Sequence, residues 1–391
     1  MNYLINTQFT EKIFCTIIVL FTSFFSIYFY NISLAPFPMF AFLILAFILL
    51  LFNKKLNKHI IFIGLLFIIL FSISGLIGKF FEFNVFYFNS ILGSIIGPLF
   101  FILFYSLYYQ KINYVEYALR KVIIFHLFFF IIQTITFYLT GNLINFLQYI
   151  TGEESRNIAY GLLTGLIRPS GLFNEPASYV TFIGPSLLFL ILYNKKLGLF
   201  ELITLGSILL TLSASGVIIS IYILAIYFII VAKKRARKIF FSYLMILFLA
   251  LTLLNLELIE LIYKSFSQRF ILNPEIDGSV SMRFVDGFKL FFSSPFYIQL
   301  FGFGIGNYSP LASTVASGFM AIIVHLGYLF TLIFLIINIF SFRLMKVDLK
   351  YFLIFSFFLF TTITYLFIHY WLFLALIFFI SKNNNTNTIK K

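Results

Sequence analysis

The residues that could do chemistry here are an arginine and a glutamate, set close together in a strongly apolar chain. They stand in the segment Arg168-Pro-Ser-Gly-Leu-Phe-Asn-Glu-Pro176. Pro169 fixes one φ angle and Gly171 permits a turn. Pro176 keeps Glu175 out of the α region and suits the first position of a helix beyond it. Glu175 is thereby placed at a helix N-terminus, where the macrodipole favours its ionised form. Two readings of the pair stand. In one, Glu175 caps the helix while Arg168 reaches to lipid headgroups. In the other, the guanidinium grips a phosphate bidentately beside a carboxylate able to act as a base. Asn174, next to Glu175, is a candidate for binding the same substrate.

A second cluster of charge lies further along. Arg269 precedes Glu275-Ile-Asp277 and then Ser281-Met-Arg283-Phe-Val-Asp286-Gly-Phe-Lys289. Val280, Phe284, Phe288 and Phe291 share a face at helical spacing, which predicts a helix lying in the membrane interface with Arg283 near the headgroup plane. After Pro295 comes Gly302-Phe-Gly-Ile-Gly306. Its glycines allow close backbone approach, either around a phosphate or in a re-entrant turn; no strand precedes it and no GK[ST] comes after it. Gly302 and Gly304 are therefore candidate substrate-binding positions, as are Arg156 and Arg269. The chain has no HExxH, GxSxG or DxD motif. Its four histidines do not pair at ligand spacing, and the single cysteine, Cys15, rules out an internal disulfide or a CxxC pair. No metal or cofactor is expected.

The elements that must position these residues are membrane helices. Hydrophobic residues make up 62% of the chain and charged residues 10%, and the apolar residues come in runs rather than at amphipathic spacing. The runs fall near 13–30, 34–52, 60–77, 86–109, 122–139, 177–193, 199–213, 215–232, 239–256, 316–341, 351–366 and 368–380. They predict an all-α polytopic membrane protein of about 12 transmembrane helices, forming one domain over 1–391. The first run ends without a small-x-small cleavage site and is expected to be a retained signal anchor. Two places leave the count open. Residues 199–232 must fit two helices around Ser213-Ala-Ser-Gly216, and residues 351–380 could form one long tilted helix.

Charge sets the orientation. With the N-terminus in the cytoplasm, only Lys79, Arg156, Arg168, Lys264, Arg269, Arg283 and Lys289 of the 27 basic residues lie outside. The positive-inside rule then puts both termini in the cytoplasm. The formal charge of +14 comes from cytoplasmic turns beside anionic lipid, which excludes nucleic acid as the partner it implies. Two large loops remain outside, 140–176 and 257–315, and between them they carry six of the seven external basic residues. Neither has the polar composition of a disordered linker, so function belongs there.

The pattern resembles the O-antigen polymerase and ligase superfamily of bacterial membrane glycosyltransferases. Four pieces over roughly 160–330 carry the likeness. They are Arg168-Pro-Ser-Gly-Leu-Phe-Asn-Glu-Pro176 ahead of a helix, Leu210-Thr-Leu-Ser213-Ala-Ser-Gly216 between two short helices, Arg283 ahead of Ser294-Pro295 and Gly302-Phe-Gly-Ile-Gly306, and a later helix with Gly327. The resemblance implies oligosaccharide repeat units on undecaprenyl diphosphate as substrates, polymerised at the periplasmic face of the inner membrane into O-antigen or capsular polysaccharide. It implies an inverting, metal-independent transfer. Glu175 would deprotonate or orient the acceptor hydroxyl, and Arg168 and Arg283, assisted by Arg156 or Arg269, would hold the diphosphate. Membrane lipid and a chain-length regulator protein are the further partners it implies. The related ligases carry a histidine eleven positions before the glycine corresponding to Gly327, and Ala316 stands there, which favours polymerase over ligase. The Arg-x10-Gly spacing of some polymerases is missing, because Ile167 and Ser294 occupy the glycine positions. A lipid-linked oligosaccharide flippase or other transporter is the alternative of a different class; it would be expected to show paired halves with broken helices, and no such repeat is visible.

Overall fold

A computed structural model of the protein describes residues 2–25, 36–52, 56–80, 88–152, 168–233, 287–305, 318–361 and 367–389. Among the described residues every regular element is helical. In chain order the helices are α1 (Asn2–Ser23), α2 (Pro36–Phe52), α3 (Lys58–Phe80), α4 (Phe88–Tyr108), α5 (Ile112–Thr140), α6 (Phe146–Thr151) and α7 (Pro176–Asn194). They continue with α8 (Leu199–Leu210), α9 (Ala214–Ile226, extended by a π-helical turn Tyr227–Val231), α10 (Gly287–Ser293) and α11 (Phe296–Phe301). The last three are α12 (Gly318–Leu344), α13 (Leu349–Thr361) and α14 (Ile368–Ile389).

Eleven of the twelve expected apolar runs carry a described helix, the run at 239–256 lies outside the described residues, and α6, α10 and α11 lie between runs. Residues 351–380 give two helices, α13 and α14, packed against each other. By length and composition four described helices can cross a membrane: Lys58–Ile77 within α3, then α5, α7 and α12. The fold is that of an all-helical, membrane-embedded protein.

Its organising element is α7. Nearly every side chain from Ser178 to Leu192 is buried, which is the pattern of a helix surrounded by others rather than one facing lipid on a stripe. Around it pack α5, α8, α9 and α14. Another part of the bundle joins α4 to α3 and α14, and α12 to α3. Small residues let these helices meet closely. A side chain at Gly97 of α4 would overlap the indole of Trp371 of α14, and Trp371 is completely buried. Without a hydrophobic gradient between helix and lipid, such close packing is a main source of helix association.

The end of the bundle that the charge rule assigns to the cytoplasm is held by ions. Arg120 of α5 bonds Glu116 Oε1 at 3.2 Å and Glu201 Oε1 at 3.1 Å, and stacks on the Phe200 ring at 4.6 Å. Glu201 is only 2% exposed, and its other oxygen accepts the Gly198 backbone N–H at 2.9 Å, closing the first turn of α8. Asn194, the last residue of α7, also bonds Glu116. The short connection from α7 to α8 is thereby tied to α5. Lys111 pairs with Glu11 nearby, joining α1 to the start of α5.

Arg120→Leu should leave the Glu201 carboxylate buried with one partner, costing about 2–4 kcal/mol; partial exposure of the guanidinium keeps this below the fully buried case. Thermal unfolding in detergent should show a lowered midpoint, partly restored by adding Glu201→Gln. An unchanged midpoint for Arg120→Leu would contradict the role given to this network.

Candidate functional site

The turn that carries Arg168 and Glu175 is anchored by a residue of a different helix. Gln133 of α5 is 1% exposed. Its Oε1 accepts the backbone N–H groups of both Ser170 and Gly171, each at 2.9 Å, and its Nε2 donates to the Ile144 carbonyl at 2.9 Å. Two donors on one side and an acceptor on the other fix which atom of the amide is oxygen. One side chain thus satisfies the turn leading into α7 and the connection leaving α5. Gly171 adopts φ +60°, and a Cβ there would lie 3.3 Å from Phe130 N and 3.5 Å from His126 O. The turn rests directly on the α5 backbone, and a side chain at Gly171 would be tight there as well as strained by the positive φ.

Beyond Gly171 the Phe173 N–H closes back on Ser170 O at 3.1 Å, and the Phe173 ring is buried 4.7 Å from His126 and 5.6 Å from Tyr179. Glu175 has extended backbone angles, φ −151° and ψ 156°, and Pro176 takes the first helical position. The Glu175 carbonyl accepts the N–H groups of Ser178 and Tyr179, the normal start of α7. Its carboxylate makes no capping bond to the helix backbone; Oε1 stands 3.5 Å from the Ser178 hydroxyl. Glu175 thus occupies the N-cap position without a side-chain bond to the helix N–H groups. Arg168 and Asn174 are half-buried, and Asn174 Oδ1 is enclosed with no hydrogen-bond partner among the described residues. The arrangement offers a guanidinium, an amide oxygen and a carboxylate at one helix N-terminus.

The short helices α8 and α9 flank this start. Tyr179 Oη meets Ser207 Oγ at 2.7 Å, and Gly184 of α7 lies against Ile219 of α9. That register brings the turn at 211–213 to the same end of the bundle as the start of α7. At 12 residues α8 is about 18 Å long, less than a hydrocarbon core of about 30 Å. Ser213 caps α9, its Oγ accepting Gly216 N–H at 3.0 Å and meeting Thr211 Oγ1 at 2.9 Å. The hydroxyls of the Leu-Thr-Leu-Ser-Ala-Ser-Gly segment serve the chain's own turn.

The glycines at 302 and 304 have a structural partner. Inside α12, Gly327 takes φ +64° and ψ −177°, which breaks the helix in two. The carbonyls of Val324 and His325 lie just before the break. They receive the N–H groups of Phe303 and Gly304 at 2.9 and 3.0 Å, and Thr331 Oγ1 crosses the break to Ile322 O at 3.4 Å. A Cβ at Gly302, itself at φ +78°, would overlap His325 O, and one at Gly327 would overlap Gly302 N. The close approach these glycines permit is thus to the chain's own broken helix. Phe291 of α10 docks beside it, 5.1 Å from Tyr328. The expected interfacial helix is described here only from Gly287 onward.

Arg283, Arg156 and Arg269 lie outside the described residues. Sequence reasoning missed Gln133, whose only signal is a single amide in a strongly apolar run, and the clamp between Gly302 and Gly327. Comparison with family models, characterised proteins and solved structures finds no match.

Gly327→Ala should cost several times the roughly 1 kcal/mol of an ordinary helix substitution, because it combines a glycine-only backbone conformation with a clash. Gly206→Ala in α8, where a Cβ meets nothing within 4 Å, should be neutral or slightly stabilising. Folded yield by size exclusion in detergent measures both. Equal yields would argue against the clamp.

Proposed function

We propose that this chain is a membrane glycosyltransferase of the O-antigen polymerase type. In this reading it crosses the bacterial inner membrane about 12 times, with both termini in the cytoplasm and the 140–176 and 257–315 loops in the periplasm. The carrying observation is the placement of Glu175. It stands at the N-terminus of the most enclosed helix, its backbone engaged and its carboxylate not used as a cap, at the end of a turn that begins with Arg168 and is tied to Gln133.

The chemistry is set by the reacting groups. The acceptor sugar hydroxyl attacks the anomeric carbon of the donor from the face opposite the diphosphate. The new C–O bond forms as the bond to the diphosphate oxygen breaks, and the electron pair leaves with undecaprenyl diphosphate. Glu175 accepts the hydroxyl proton. Arg168, with Arg156 from the same loop and Arg269 and Arg283 from the other, offsets the leaving negative charge. Asn174 Oδ1 accepts a hydrogen bond from a sugar hydroxyl. The lipid tail lies along apolar helix faces.

The flippase alternative draws support from one observation, the break at Gly327, because discontinuous helices are a device of transporters. The carbonyls just before that break are taken by Phe303 and Gly304 rather than offered to a cargo, which favours the polymerase. The ligase alternative lacks its histidine at Ala316.

The test is the surface-polysaccharide ladder of a deletion strain complemented with wild type, Arg168→Ala or Glu175→Gln, with membrane levels of each protein matched. Wild type should restore the ladder, and each variant should leave core plus a single unit, a loss of polymer of about 100-fold or more for a missing base. Normal ladders from both variants would remove this site. A deletion strain with no attached unit at all would point to ligase or flippase.

A further inference from the structure

Imidazoles buried in a membrane-embedded bundle need hydrogen-bond partners there, because an unmade bond to a buried polar atom costs about 1–3 kcal/mol. His126 and His369 lack enough of them among the described residues. His126 of α5 is completely buried and meets Ser23 Oγ through Nε2 at 2.8 Å. The Ser23 hydroxyl already donates its one hydrogen to Leu20 O at 2.6 Å, so Nε2–H is the donor to Ser23. That leaves Nδ1 as an acceptor, and it has no partner among the described residues. His369, 3% exposed at the start of α14, has no partner for either ring nitrogen among the described residues.

The two rings flank the turn that ends α1. The His369 ring lies tilted 3.9 Å from Phe25, and His126 lies 5.6 Å from the adjacent Phe24. Helices α1, α5, α7 and α14 pack pairwise into a closed ring, and this turn stands at the end of it where α7 and α14 begin. The Arg168–Glu175 turn lies over the same place, with Gly171 on the backbone of His126 and Phe130 and the Phe173 ring on the His126 ring.

We propose that His126 and His369 form a subsite for a neutral, hydroxyl-bearing ring, the sugar next to the bond being made. The proposal rests on the polymerase reading for the identity of that sugar. An uncharged imidazole presents one donor and one acceptor, the complement of a hydroxyl, and a sugar presents hydroxyls in adjacent pairs. The hydrogen-bond and ring partners of the two imidazoles, among the described residues, are one serine and six phenylalanines. With no cation in that set the chemistry suits a sugar face rather than a phosphate, which is left to Arg168 above. Apolar walls with a few aimed polar atoms are the usual construction of a small-molecule site.

His126→Phe and His369→Phe test this, since each keeps the ring stacking and removes the nitrogens. The probes are the undecaprenyl-linked single unit extracted from the deletion strain and sugar-free undecaprenyl diphosphate, titrated onto the full chain in detergent. Each variant should bind the sugar-bearing lipid at least tenfold more weakly than wild type, bind the sugar-free lipid as wild type does, and unfold without ligand at a midpoint no lower than wild type. Wild-type affinity for the sugar-bearing lipid would overturn the subsite while leaving the polymerase reading intact. Equal weakening for both lipids, or a lowered midpoint in both variants, would show the histidines to be structural, with internal water as their partner. If wild type binds neither lipid, the polymerase reading fails and the sugar assignment fails with it.

Discussion

Backbone polar groups buried inside a helical bundle have little water to bond, so each place where a helix stops within the bundle must find its partners in the chain. The described structure meets this demand at three interruptions with three different devices. At 168–175 a glutamine from another helix takes two N–H groups. At 211–213 a serine and a threonine hydroxyl close the turn. At Gly327 the carbonyls before the break are taken by the backbone of Phe303 and Gly304. Each device is short-range and enclosed, so each fixes the position of the helix that leaves it.

That constraint explains why the charged residues of interest are where they are. Arg120 bonds both Glu116 and Glu201 and so stabilises the junction of α5, α7 and α8. Arg168, Asn174 and Glu175 sit at the other end of α7, on a turn whose backbone demands are already met by Gln133. That amide holds the turn's backbone and so positions the residues the turn carries. The turn that carries the charge lies against His126 through Gly171 and Phe173, and both His126 and His369 are walled by phenylalanine.

Much of this is legible in the sequence. The apolar runs mark where the helices lie, because a lipid-embedded helix must be continuously apolar and the charges gather at its ends. Pro169, Gly171 and Pro176 announce a rigid turn into a helix, since proline and glycine act through local geometry. The features that stay hidden depend on contacts distant in sequence. Gln133 is 37 positions from Ser170, and nothing local distinguishes an amide that clamps a turn from one that faces a neighbouring helix. The segment from Gly302 to Gly304 announces close approach but not to what, and the answer lies further along the chain at Gly327. The choice between a capping and a non-capping Glu175 likewise turns on side-chain geometry, to which composition is blind.

The most direct measurement of the central claim, that Gln133 holds the turn in place, is amide hydrogen exchange over 168–175 in wild type and in Gln133→Leu. The account predicts slow exchange at Ser170 and Gly171 in wild type, and exchange faster by about tenfold or more in the variant, as expected from the loss of a bond worth about 1–3 kcal/mol to each buried donor. Protection elsewhere in α7 should be unchanged. Identical exchange at Ser170 and Gly171 in the two proteins would contradict it.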